Sequence, residues 1–431
     1  LDEVTEADFD VVEGAVPLDL DANSSTIKNI RLWDYRPLLR TYGQLQEIRL
    51  YYAFTDVDVD RYMLGEDYRQ VTLVAREISP DELSQTAQTW VNRHLVYTHG
   101  SGVVLSPVNE VLEEGLPNLW VRDIPPQSIH PDLAVTRPEI YFGELTDEYV
   151  LVKTDELELD YPSGDQNVYA TYEGTGGVVL DSFLKRLAYA LRLGSSQILL
   201  SDSLTPESRL LWHRAIDERV QTLAPFLQYD PDPYMAIVDG RLVWLLDAYT
   251  VTDRYPYSEP IDTSFGRINY MRKSVKIAMD AYDGRATFYL IDPDDPLAAT
   301  YASIFPDLFQ PGEEMDPALV EHWRYPEGMF RIQAAKFQTF HMTDPQVFYN
   351  QEDLWNWAEE VATGERVPIE PYYVNMRLPG ESEPEFVLMM PYTPSSKQNM
   401  VAWLYARNDG EHYGDLGVYK FPKQRLVYGP M

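Results

Sequence analysis

Two Asp-Gly pairs constrain this chain more than any other feature. Asp239-Gly240 lies between the apolar runs 234–238 and 242–249, and Asp283-Gly284 lies between 275–282 and 286–291. Asp-Gly readily takes the positive backbone angles of a type I′ turn, whose twist matches two antiparallel strands. Both places therefore predict β-hairpins. Each hairpin also carries the string Asp-Ala-Tyr, at 247–249 and 280–282, which suggests a duplicated sheet unit.

Around these hairpins the pattern alternates between strand and helix. Segments 48–54, 71–76, 139–142, 149–152, 169–172, 385–390 and 400–405 predict strands. Ser79-Pro80-Asp81-Glu82 has the form of a helix start, with Ser79 as N-cap, and predicts a helix to about His94. Further helices are predicted over 180–193, from an N-cap at Thr205 to Leu223, over 326–342 and over 353–362. The fold class expected is α+β: mixed, mainly antiparallel sheets with interspersed helices. At 431 residues the chain is long for one ordinary core and should form two or more lobes. The glycines of Gly174-Thr175-Gly176-Gly177 mark the boundary expected between an N-terminal α/β lobe, 1–175, and a C-terminal α+β lobe, 176–431, with both hairpins.

Charge and composition narrow the functions. The formal net charge is −34, a field that repels phosphate backbones and attracts cations. The densest basic stretch considered, 267–276, holds only Arg267, Arg272, Lys273 and Lys276, so no nucleic-acid partner is expected. There is no cysteine, which excludes disulfides and thiolate chemistry. No apolar run approaches the length of a membrane helix. The chain begins at Leu1 rather than Met and reads as an excised piece of a longer protein.

Four groups of residues could carry chemistry. In Asp56-Val57-Asp58-Val59-Asp60, strand alternation would put Asp56, Asp58 and Asp60 on one face, a candidate calcium site. It is no EF-hand, because Arg61 and Asp67 stand where that loop needs Gly and Glu. A solvated face balanced by Arg61 and Arg69 is the plainer alternative. Asp292-Pro293-Asp294-Asp295 and Asp230-Pro231-Asp232-Pro233 read first as turns, and a metal role would need other loops to converge on them. Of the seven histidines, His99, His322 and His341 could meet only through the fold; core histidines are the simpler reading. The glycine loop 174–177 could hold an anion at a helix start, but it lacks the dinucleotide and P-loop patterns and reads better as a hinge or turn. No HExxH or GxSxG occurs.

A longer series of strings is more specific. NIRLWDYRPLL (29–39), YYAFTDVDVDRY (51–62), WVNRHLVYTHG (90–100), RDIPP (122–126), RPEIYFGE (137–144) and APFLQYDPDPY (224–234) occur in order. They are followed by DAYTVTDRYPYS (247–258), NYMRKSVKIAMDAYDG (269–284), HWRYPEGMF (322–330) and NMVAWLYARND (399–409). From end to end the chain resembles uncharacterised protein family 0182 of bacterial multi-pass membrane proteins. The resemblance implies a bundle of transmembrane helices followed by a large extracytoplasmic domain, of which this chain matches most, with a further segment beyond 427–431. It implies no catalytic residue. The expectation is an extracytoplasmic domain at the cell membrane, with no catalytic signature and no cofactor beyond the calcium candidate. Its partners would be its own transmembrane helices, an envelope component or membrane partner, or a small ligand. The alternatives are a carboxylate-dependent envelope hydrolase or transferase, and an accessory domain of a transporter.

Overall fold

The computed structural model describes residues 4–9, 20, 23–164, 166–362, 364–395, 397–424 and 426–428. Three larger sheets organise them. The first is an antiparallel sheet of Asp58–Leu64, Asp67–Ala75, Val103–Pro107, Val121–Arg122 and Gln127–Ser128. The central sheet is built on the long strands Arg241–Thr252 and Tyr270–Asp280, flanked by Gln228–Tyr229, Tyr234–Val238, Ala286–Leu290 and Phe309–Pro311. In the third, Glu385–Pro394 and Ala402–Arg407 pair antiparallel, and Leu416–Lys420 carries the N-terminal strand Val4–Asp8 in parallel. The α+β class is observed.

The sheets stack because alternate residues of each strand are apolar. Val71, Leu73 and Ala75 of the first sheet pack with Trp244, Leu246, Ile277 and Met279 of the central sheet. Each valine, leucine, isoleucine or methionine among them, fully buried, contributes roughly 1.5–3 kcal/mol relative to exposure. The opposite face of the first sheet, through Val74 and Val104, takes Leu38 and Tyr42 of the helix Tyr35–Gln46. The Tyr42 hydroxyl there meets Thr72 and Ser106 at 2.8 and 2.6 Å. Burial on both faces explains why Asp67–Ala75 reads as a continuous buried run at its end. The helix Glu327–Phe340 fills the space against the third sheet, with Phe330, Ala334 and Phe337 beside Leu388, Met390 and Leu404. The largest core draws residues from both sides of the glycines 174–177, from Tyr62 to Phe288.

Both hairpins form, with Val238 paired to Arg241 and Met279 to Ala286. Asp239 and Gly240 take φ of 50° and 75°, as a type I′ turn requires. The second connection is longer. Only Gly284 of its Asp-Gly pair has positive φ, because the Asp280 carboxylate receives the amides of Tyr282 and Asp283 and winds the chain into a wider turn.

Three predicted helices are corrected. From Ser79 only a single turn, Pro80–Glu82, forms, and a separate π-turn covers Asn92–Val96. Leu83 is extended and buried, and Gln88 Nε2 satisfies the carbonyls of Asp81 and Leu83 in place of helical amides. After Thr205 the chain forms a strand, Arg209–Leu211, between Val150–Val152 and Val178–Val179; the helix is confined to Ile216–Leu223. Sheet pairing on both edges outweighs the helical spacing there. Residues 353–362 form strands, with Trp355–Trp357 on Glu385–Pro394 and Glu359–Ala362 on Glu365–Pro368. The strand predicted over 48–54 shrinks to Tyr52–Ala53; the long strand begins at Asp58.

Candidate functional site

A cleft of about 800 Å³ opens where six segments meet. Its floor is the entry to the first sheet at Asp56 to Val59, the Asp230-Pro231-Asp232 loop, and Arg324 with the first turns of the helix Glu327–Phe340. The walls come from residues 31–36, from the tip of the hairpin Ile261–Thr263 and Gly266–Ile268, and from residues 357–373. Phe265, Ile332, Trp357, Tyr372 and Tyr373 supply apolar and aromatic surface.

Strand alternation aims Asp58 and Asp60 to the same side, as expected, but each meets a different partner. The Arg324 Nη2 group donates to Asp58 Oδ1 at 2.7 Å, and the Met235 amide donates to Asp58 Oδ2 at 3.0 Å. Four residues on, the Tyr62 hydroxyl accepts the Ile237 amide at 2.9 Å. Two side chains of one sheet thus cover two amides on the edge strand of the next, Tyr234–Val238. Asp60 turns away into the interior, with His322 Nδ1 at 2.7 Å and Arg61 Nη1 at 3.5 Å. Asp56 is exposed and accepts the amide of Val57. Among the described residues no group of three or more His, Cys, Asp or Glu has an arrangement that could hold a metal.

The Asp-Pro-Asp-Pro loop is where other elements converge. Asp230 receives the Tyr249 hydroxyl and, at 3.0 Å, the Gly328 amide. It therefore caps the helix Glu327–Phe340 from outside, since Pro326 at the N-cap has no side chain to do so. A Cβ on residue 328 would stand 2.6 Å from Asp230 Oδ2, so only glycine allows this approach.

Burial and mutual repulsion push these carboxyls up. Burial, opposed by Arg324, leaves Asp58 at about 6. Burial, with Asp58 and Asp230 nearby, puts Asp232 at about 7. Glu327, buried near Asp232, rises to about 8. Behind the floor, burial raises Glu144 to about 9, with Glu77, Asp58, Asp56 and Asp232 adding to it. Glu77 lies at about 7 through burial, although its carboxylate accepts the amides of Glu144 and Leu145. Asp60 behaves oppositely: burial would raise it, but His322 and Arg61 hold it below the ordinary value. Two donors at the cleft, Arg324 Nε and Trp357 Nε1, are buried and meet no acceptor among the described residues.

The other candidates resolve separately. Asp295 caps the helix Pro296–Ile304 and receives the hydroxyls of Thr250, Ser274 and Tyr270, so 292–295 is a turn and cap. His99 lies beside Thr98 and Glu158, and His341 bridges two carbonyls and stacks on Trp355; with His322 on Asp60, the three stay apart. The glycine loop does hold an anion, but an internal one. Amides of Thr175 and Gly176 point to Asp283 Oδ1, and the helix starts only at Phe183. Sequence reasoning assigned no role to Arg324 or Glu327, although the string 322–330 had already singled out that stretch.

Fold and cleft together define an α+β domain with a carboxylate-floored, aromatic-walled cleft. The chain belongs to UPF0182, an uncharacterised protein family, whose model matches residues 1–431. It is 52% identical over its whole length to a UPF0182 protein of Pelotomaculum thermopropionicum, covering 47% of that protein. It is 51% identical to one of Methanospirillum hungatei, with 98% of this chain and 47% of the relative aligned. A relative from Geobacter sulfurreducens is 49% identical over the whole chain and 47% of its own length. The chain thus spans about half the length of the curated relatives it matches. No solved structure matches it.

Proposed function

We propose that this chain is a ligand-binding domain of a longer, membrane-embedded protein, facing the extracytoplasmic side, and that its cleft takes a positively charged polar ligand or polymer segment. The observation that carries the reading is the crowding of Asp58, Asp230, Asp232 and Glu327 along an open cleft with Arg324 among them. Carboxyls raised in this way are relieved by an entering cation, which also releases their protons. Phe265, Trp357 and Tyr372 would cover the carbon frame of such a ligand. The membrane setting is supported by the family resemblance alone, and this chain covers about half of each relative. No helix among the described residues is long and apolar enough to cross a bilayer, so any spanning helices would belong to that other half.

The test is a thermal melt of the chain with spermidine, an amino-sugar oligomer or calcium. A native-state ligand at about a hundred times Kd stabilises by about 2.7 kcal/mol. The reading expects a shift that grows as pH rises through the carboxyl range and is lost in Asp232→Asn and Glu327→Gln. If no probe shifts the melt at any pH, the reading fails. Calcium at Asp56, Asp58 and Asp60 is its narrower form, and would require Asp60 to leave His322 and Asp58 to leave Arg324. A calcium shift lost in Asp58→Asn but kept in Glu327→Gln would assign the ion there.

One observation favours a second reading, a carboxylate-dependent hydrolase or transferase acting on an envelope polymer. Burial lifts Glu327 to about 8, above Asp58 at about 6 in the same cleft, the order that a general acid and an ionised partner would need. Polymer cleavage by the purified chain that vanishes in Glu327→Gln would establish it. Intact polymer after prolonged incubation would reject it.

A further inference from the structure

The small sheet of Val150–Val152, Val178–Val179 and Arg209–Leu211 lies apart from the cleft and carries the helix Phe183–Leu193. Ser182 caps that helix and Gly194 ends it in the left-handed region. Its inner face is accounted for: Tyr189, Ala190 and Leu193 pack with Leu151, Ile198 and Leu210, and Arg186 donates to the carbonyls of Leu180, Leu204 and Thr205.

The outer face is apolar as well. At 100° per residue, Leu184, Leu187, Ala188 and Leu191 fall on one stripe opposite the inner face. Leu184 is 74% exposed and Leu191 75%; Phe183 at the helix start is 68% exposed and Leu200, just beyond the helix, 77%. Ser203 holds Glu156 by a 3.2 Å hydrogen bond, which brings the exposed Leu157 beside the same end of the unit. Side chains this exposed project from the surface. A protein partner would have to supply grooves for them, whereas an acyl layer needs none. Lys185 and Arg192, seven residues apart, share one flank of the stripe; the helix itself contains no acidic residue, and Asp181 just before it pairs with Lys185 at 2.9 Å on the exposed surface. In a chain of net charge −34 the span 183–193, with Lys185, Arg186 and Arg192, is positive by itself.

We propose that Phe183–Leu193 is an interfacial helix that seats this domain on a lipid bilayer surface, its leucine stripe in the acyl boundary and Lys185 and Arg192 at the headgroups. Apolar residues on one face with cations at the flank are the pattern that lies in a bilayer interface. The acidic remainder of the chain does not forbid contact, because at physiological salt its field is screened within about 8 Å.

The experiment is co-sedimentation of the chain with phosphatidylcholine vesicles, with or without phosphatidylglycerol, at physiological salt. The chain is expected to bind, more tightly with phosphatidylglycerol. The double variant Leu184→Asp/Leu191→Asp should lose at least about tenfold in affinity with an unchanged melting temperature. Lys185→Glu/Arg192→Glu should remove the preference for phosphatidylglycerol and leave binding to phosphatidylcholine in place. Phe183→Trp adds a local probe, whose emission should shift to the blue on vesicles. No binding to either vesicle would overturn the proposal. So would full binding by the aspartate variant. A chain that is dimeric without lipid, and monomeric in the aspartate variant, would assign the stripe to a second copy instead.

Discussion

Asp58 and Asp60 stand two residues apart on one strand, both shielded from water, and belong to two different electrostatic regions. At Asp60 charge is balanced locally. His322 and Arg61 face it, Arg61 also meets Asp409, and nearby the buried Lys276 pairs with Asp247 at 2.7 Å. At Asp58 the floor also holds Asp230, Asp232 and Glu327, against Arg324 on Asp58 and Arg331 at 3.4 Å from Glu327, so carboxylates outnumber cations. The first arrangement is what a packed interior demands, since a buried ion needs a partner. The second is tolerated because it borders an open cleft, where protons or a ligand can complete it. Excess charge therefore marks the region built for something that enters.

The largest expected effect comes from removing the cation of the cleft floor. Arg324→Met should leave Asp58 uncompensated and cost about 3–5 kcal/mol in urea unfolding at neutral pH. A loss below about 1 kcal/mol would mean that the floor is already neutral through protonation.

Asp60→Asn should cost about 1.5–3 kcal/mol at neutral pH, the loss of a charge-assisted hydrogen bond. Because Asp60 is held below the ordinary value of 3.8, its stabilisation is complete above that pH and is lost as pH falls below it. Acid unfolding of the variant should consequently be shallower than that of the parent chain.

Gly328→Ala is expected to cost about 1–3 kcal/mol, by forcing the Asp230 carboxylate off the helix start. It should also change the cleft's response to spermidine, whereas an alanine at Gly65, strained by its φ of 66° but with open space around it, should leave that response intact.

Glu327→Gln is expected to act with the opposite sign. A carboxyl raised from 4.5 to about 8 binds its proton more tightly in the folded state. Its contribution is therefore lost as pH climbs from 4.5 toward 8. The variant should gain stability relative to the parent over that window. Unfolding curves taken from about pH 5 to about pH 9 would show it. A variant that instead loses ground with rising pH would place Glu327 with Asp60, in the balanced region.

Local chemistry was legible at several places along the chain. The Asp239-Gly240 turn formed as its backbone preferences require, and the helix near 326–342 appeared as Glu327–Phe340. The alternation in Asp56 to Asp60 was expected to gather three carboxylates on one face, whereas Asp56 is exposed and Asp58 and Asp60 take different partners. Prediction failed where neighbours from far along the chain decided the outcome. Arg209–Leu211 has helical spacing, yet two strands claim both its edges. Trp355 has a place beside Pro394 and under His341 that no local pattern announces.

By itself the sequence determined the α+β composition, the acidity, the cysteine-free chemistry and the family. All of these rest on residue type, on spacing along the chain, or on ordered strings. Only the tertiary structure decided which carboxylate received a cation and which was left in excess. Arg324 and His322 reach Asp58 and Asp60 from more than 260 positions away. Charge pairing falls off with distance in space, and distance in space is what the packing of the three sheets sets.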